Sequence, residues 1–178
     1  MKRGSVMNQT LDIINSRSSI RKFTAEPVPE DRCRILAEAG LRAPTATNRQ
    51  EIHISVTTKD NPIQQEIQNE LKPDAEMNFY YNAPLVFYLS GADDFRWSEV
   101  DAGIAVENIH LAAAAMGLGS VILGCMREIL NGEKKAYYDK KLGIPEGYSF
   151  LVAIAIGYPD TEKPQHSFDF DKNVSVIG

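Results

Sequence analysis

Apolar positions along this chain switch between a helical spacing and a strand spacing. Leu11, Ile13 and Ile14 follow Asn8 and predict a short helix with Asn8 as its cap. A polar, basic patch comes next: Arg17, Ser18, Ser19, Arg21 and Lys22. Pro27 and Pro29 mark a loop. Pro29 suits the first turn of a helix that carries Ile35, Leu36 and Ala39 and stops before Pro44. Ala43–Gln50 reads as a polar loop. Ile52, Ile54 and Val56 alternate with His53 and Ser55, which predicts a strand. Asp60 and Pro62 open a helix with Ile63, Ile67 and Leu71 on one side.

Leu85–Leu89 reads as a buried strand. Ser98 and Asp101 have the spacing of a capping box. They head a long, alanine-rich helix that runs to about Met116 and is ended by Gly117 and Gly119. Ser120–Leu123 is a short strand, Lys134–Lys141 a helix, and Phe150–Ile156 a strand apolar enough to be buried on both faces. From Pro159 the tail is polar and without period until Val174–Ile177. Helices and strands mix without strict alternation, which predicts an α+β fold rather than a doubly wound sheet.

The 178 residues suit one domain over 1–178, with 1–7 as a poorly packed extension. At 43% hydrophobic and 24% charged, the composition is that of a globular protein. A net charge of −5 argues against nucleic acid, where a basic face supplies most of the affinity. Met1–Val6 is basic, but no apolar stretch follows it, so it does not read as a secretory signal; Met7 is a second candidate start. The longest apolar run, Leu151–Ile156, is too short to span a bilayer. The expected location is the cytoplasm, with no membrane partner. Cys33 and Cys125 lack CxxC or His-rich surroundings. They read as free thiols rather than a disulfide or metal ligands.

Three segments carry candidate chemistry. Arg17–Phe23 gathers three cations and two hydroxyls around Ile20, a mixture suited to phosphate. Pro44–Gln50 sets polar side chains beside small residues, which suits sugar hydroxyls or the edge of a heterocycle. Gly117–Gly124 is glycine-rich, but its glycines close a helix instead of opening one, so the dinucleotide fingerprint is rejected. Taken singly, the first segment reads more readily as a solvated basic loop, and the second equally as a plain turn. His53, His110 and His166 are scattered, without G-x-S-x-G or HExxH. His110, inside the apolar helix, reads as a satisfied structural histidine.

In this order and spacing, the segments resemble the nitroreductase family. The family's R-x-S-x-R/K plus aromatic is matched by Arg17, Ser19, Arg21 and Phe23. Its A-P-S/T-x-x-N-x-Q is matched by Ala43, Pro44, Thr45, Asn48 and Gln50. An alanine-rich helix, a Gly117–Gly119 turn and a late strand ending in Gly157-Tyr158-Pro159 complete the set, over about residues 8–178. The resemblance implies a mixed central sheet flanked by helices. It also implies an intertwined homodimer with FMN in two interface sites and NAD(P)H as co-substrate.

Carried over, Arg17, Ser18 and Ser19 are expected at the FMN phosphate and ribityl chain, and Arg21 near the N1/O2 edge of the ring. The loop Pro44, Thr45, Ala46, Thr47, Asn48 and Gln50 is expected to reach the FMN bound mainly by the partner. Backbone groups of Val121, Ile122, Leu123 and Gly124 are expected along the ring's dimethylbenzene or N5 side. No metal is implied.

The chain departs from the family in three ways. Gln50-Glu51-Ile52 stands where Gln-Pro-Trp is common. The usual tail cation is missing, with Lys163 and His166 as the candidates to replace it. The chain is also short, which implies an open site. Pro73–Tyr81, with Phe79, Tyr80 and Tyr81, is a candidate lid, though core packing explains it as well. Three functions stay open: a ping-pong oxidoreductase that reduces a nitroaromatic, quinone or similar small acceptor; a family member with a different reaction, such as reductive dehalogenation or a redox step on a specific metabolite; and a flavin-binding family member without turnover.

Overall fold

The computed structural model describes residues 8–71 and 78–178. The expected N-terminal extension, and the 73–77 part of the candidate lid, lie outside the described residues. The elements in chain order are α1 (Asn8–Ser16), α2 (Glu30–Leu41), a short 3-10 turn (Ala46–Asn48), β1 (Ile52–Thr58), α3 (Pro62–Leu71), β2 (Leu85–Ala92), α4 (Ser98–Ala115), β3 (Gly119–Leu123), α5 (Arg127–Leu130), α6 (Lys135–Leu142), β4 (Tyr148–Gly157) and α7 (Phe170–Asn173).

The strands form one sheet in the order β1-β2-β4-β3. A mixed sheet was expected; all three strand pairings described here are antiparallel. The parallel component is an isolated bridge between Ser19 and Ser120 on the free edge of β3. Helices cover both faces, so β2 is buried at every position. Alternate β2 residues serve separate cores. Leu85, Phe87 and Leu89 pack with Leu36 of α2 and Ala105, Val106, Ile109 and Ala113 of α4. Val86 and Tyr88 face the other way, toward Ile63, Ile67, Tyr80, Met126, Leu130 and Tyr138.

β1 is the strand that its alternation predicts, but its polar positions are the more deeply buried ones. Ser55 and Thr57 are buried at 7% and 5% exposure, whereas Val56 is 40% exposed. The polar side faces α3, where the Gln64 side chain donates to Thr57 Oγ1 at 2.8 Å and so satisfies that hydroxyl, whereas Ser55 Oγ has no hydrogen-bond partner among the described residues.

The capping box at Ser98 is also overturned. Trp97 holds the N-cap position and makes no side-chain capping bond. Ser98 Oγ donates instead to the Ala92 carbonyl at 2.7 Å, tying the helix start to the end of β2. Asp101, 4% exposed, turns away from its own helix end.

Tyr80 belongs to the core and not to a lid. It is 1% exposed. Its hydroxyl accepts from Tyr88 at 3.2 Å and donates to Met126 Sδ at 3.3 Å. The tail is exposed throughout from Pro159. It holds α7, which the sequence pattern did not signal and which Asp169 caps through the Lys172 N–H. Val174–Ile177 forms no strand within the chain.

Candidate functional site

The segment after α1 is zipped between two strands. Ile20 N–H donates to the Ser120 carbonyl, Thr24 N–H to the Tyr158 carbonyl, and Asp160 N–H to the Lys22 carbonyl, each at 2.9 Å. Lys22 pairs with Asp160 at 2.7 Å. Gly119 is obligatory here: a Cβ would stand 2.9 Å from Ile20 Cβ. The chain can therefore run from α1 across the edge of β3 and out beside the start of the tail.

This zipper walls a cavity of about 380 Å³ lined by Arg17, Ser18, His110, Ser120 and Lys163 among others. Two cations and a hydroxyl-bearing loop face one space. Ser120 Oγ is buried and has no hydrogen-bond partner among the described residues. A buried, unpaired hydroxyl is costly, and an oxygen-rich ligand in the cavity would satisfy it. Arg17 is held from α4, with Nη1 3.4 Å from His110 Nε2 and Nε 3.6 Å from Glu107 Oε1. Burial, followed by the Arg17 charge, pushes the His110 imidazole below the ordinary histidine range; Glu107 opposes this.

The other expected site residues lie elsewhere. Ser19 is half-buried and bridged to Ser120. Arg21 is exposed and makes no ion pair among the described residues. Thr45 and Gln50 line a separate cavity of about 220 Å³ with Gly40, Leu41, Ile52 and Ala105. In that loop Thr47, Asn48 and Gln50 all adopt positive φ, at 55°, 56° and 56°. Gln50 N–H donates to Thr45 Oγ1, and the Gln50 side chain donates to Asn48 Oδ1, each at 3.0 Å. Ala46 N–H donates to Asp101 Oδ1 at 3.0 Å, and Pro44 is exposed.

Val121 and Leu123 point into the core, at 2% and 6% exposure. Ile122 is 38% exposed and faces a third groove with Ala102, Gly103, Val106 and Leu151 of α4 and β4. Gly124 is exposed beyond the strand. Of the two tail candidates, Lys163 reaches the Arg17 cavity; His166 is exposed and does not line it. Those expected residues that line an opening are thus divided among three: Arg17, Ser18 and Lys163 in one, Thr45 and Gln50 in another, Ile122 in the third.

Sequence reasoning missed Ser120, His110 and Asp101 as parts of these sites. A serine beside the Gly117–Gly119 turn was a readable signal for Ser120. Nothing local distinguishes His110 or Asp101 from other residues of an apolar helix. No described helix is long and apolar enough to cross a membrane.

The nitroreductase family model matches residues 14–158. An NADPH-flavin oxidoreductase of Vibrio harveyi is 31% identical, over 86% of this chain and 67% of that protein. An FMN reductase [NAD(P)H] of Bacillus subtilis is 28% identical over the same shares. Among solved structures, an FMN-dependent nitroreductase of Clostridium difficile superposes with a TM-score of 0.85 at 30% identity, covering 97% of this chain and 100% of that one. A nitroreductase with bound FMN from Desulfitobacterium hafniense gives 0.85 at 28% identity, over 97% and 100%.

Proposed function

The chain belongs to the nitroreductase family, and from that premise we propose that it is an FMN-dependent oxidoreductase that passes hydride from NAD(P)H to a small, electron-poor acceptor such as a nitroaromatic or quinone. The observation that carries this reading is the Arg17–Ser120–Lys163 cavity. Its donor set fits a phosphate: two cations, the Ser18 hydroxyl and the unpaired, buried Ser120 hydroxyl. Arg17 and Lys163 supply charge there, and Ser18 and Ser120 supply short donors.

Bound FMN supplies two-electron chemistry, accepting hydride from one substrate and giving it to the next. The chain's own groups bind and orient. Arg21, exposed and without an ion pair among the described residues, is the permanent cation for negative charge developing at the N1/O2 edge. β3 is an edge strand, and its outer side is engaged at Ser120 by the Ser19–Ile20 segment, which leaves backbone groups of the 121–124 stretch available to a flat ring. The two substrates take turns at one site, so ping-pong kinetics are expected.

The working unit in this reading is a homodimer. The Thr45–Gln50 loop and the Arg17 cavity open separately on one chain, so a loop from a second copy completes the site. α4 supports this with exposed Val100 and Ile104, at 50% and 38%, and the tail with Phe168, Val176 and Ile177, at 76%, 87% and 93%. The free thiols Cys33 and Cys125 suit a reducing cytoplasm.

The visible spectrum of purified protein tests the reading. A flavin band at about 450 nm, bleached by NADH or NADPH under nitrogen and restored by a quinone, is the expected result. Colourless protein that takes up no added FMN would overturn it, and a band that neither nicotinamide bleaches would favour binding without turnover.

A further inference from the structure

His110 is 2% exposed, yet it lines the cavity that holds Arg17 and Lys163. Arginine has donors and no acceptor, so the 3.4 Å contact makes Nε2 the unprotonated ring nitrogen, with Arg17 Nη1 donating to it. The ring proton then sits on Nδ1, which lies 3.5 Å from Glu107 Oε2, close enough for electrostatic attraction though not hydrogen-bonded among the described residues. The other Glu107 oxygen stands 3.6 Å from Arg17 Nε. Two groups on one turn of α4 therefore grip the guanidinium, one as a neutral acceptor and one as an anion.

We propose that neutral His110, backed by Glu107, is the positioning residue of Arg17, and that protonating it uncouples Arg17 and weakens binding of the flavin phosphate. This rests on the reading of the cavity as the phosphate end of an FMN site. A protonated imidazole has two donors and no acceptor, so it cannot take the Arg17 bond, and it places a second cation against the guanidinium. The charged groups around the ring have opposing signs. Arg17 comes from the segment after α1, Glu107 from α4 itself, and Glu162 and Lys163 from the tail across the cavity; β3 presents the uncharged Ser120. Burial and Arg17 hold the ring neutral at neutral pH, so the change falls on the acid side.

Titration of FMN into apoprotein from pH 8 to pH 5, followed by flavin fluorescence, tests the coupling. A phosphate monoester loses its second charge at a pKa of about 6, so wild type must be read against His110→Gln, which keeps an acceptor but does not titrate. Wild type is expected to lose about tenfold more affinity across this range than His110→Gln does. His110→Ala is expected to lose about tenfold at pH 8, with most of that recovered in His110→Gln. Parallel pH profiles for wild type and His110→Gln would overturn the coupling.

Imidazole NMR on apoprotein tests the pairing without FMN. Arg17→Gln removes the cation that holds the ring neutral, so the His110 midpoint is expected to rise. An unchanged midpoint would overturn the pairing. A midpoint that rises in Arg17→Gln, together with wild type that takes up no FMN at any pH, upholds the pairing and sinks the flavin reading instead.

Discussion

The Asp101 carboxylate on α4 accepts a hydrogen bond from the Ala46 backbone N–H at 3.0 Å, across 55 positions of sequence. That bond anchors a loop in which three non-glycine residues take left-handed backbone conformations. The β-branched Thr47 is the most strained of them. Such a conformation persists only where its surroundings over-determine it. Asp101 is one determinant, and the Thr45–Gln50 bond is another.

Asp101→Ala is expected to lower unfolding stability by about 1.5–3 kcal/mol, the range for a hydrogen bond to a charged group. Asp101→Asn keeps an oxygen acceptor and should lose less than half as much. Chemical denaturation of the two variants checks this, and equal losses would argue against the bond.

Ser120→Ala separates binding from stability. The hydroxyl is buried without a partner among the described residues, so its removal should leave stability unchanged or raise it by up to about 1 kcal/mol. FMN affinity should fall about threefold to tenfold if the hydroxyl meets the ligand. Thermal melts and flavin titration on the same preparations give both numbers, and a loss of stability without a loss of affinity would refute the assignment.

The tail cations should behave differently. Lys163 lines the Arg17 cavity and His166 does not. Lys163→Ala is expected to weaken FMN binding by about tenfold at low salt and by less at high salt. His166→Ala should change it by less than about twofold, as for a surface substitution. Comparable losses for the two would mean that the tail rearranges when the site fills.

Stability should fall on the acid side before ordinary carboxylates titrate. The folded-state pKa of His110 is depressed, so between that value and the unfolded value of about 6.5 the unfolded chain binds more protons. Its contribution is complete above about 6.5 and is lost as pH falls through the depressed value. The Glu70 and Glu99 carboxylates, lowered chiefly by bonds to Lys134 and Arg127, add a loss in the same direction at still lower pH. Urea midpoints of apoprotein from pH 7.5 to 5 should decline in wild type and stay flatter in His110→Gln. Identical declines would show that another group is responsible.

The sequence by itself determined the main helices and strands, the α+β class, and the Arg17–Phe23 and Ala43–Gln50 segments as candidate chemistry. Each rests on local physics: apolar spacing, prolines that stop helices, glycines that end them. The short α5 and α7 were missed because four residues show no period. Only the tertiary structure decided which polar groups meet. Ser98 and Asp101 have the spacing of a capping box, but their side chains bond to Ala92 and Ala46, because buried groups from β2 and the loop compete for them. Ser55 and Thr57 face inward because α3 covers that side of β1 and brings Gln64 to Thr57. His110 looked like a passive core histidine until the fold laid Arg17 against it from 93 positions away. Lys163 was separated from His166 by where the zipped tail crosses the cavity mouth, a placement set by long-range backbone pairing that no local pattern encodes.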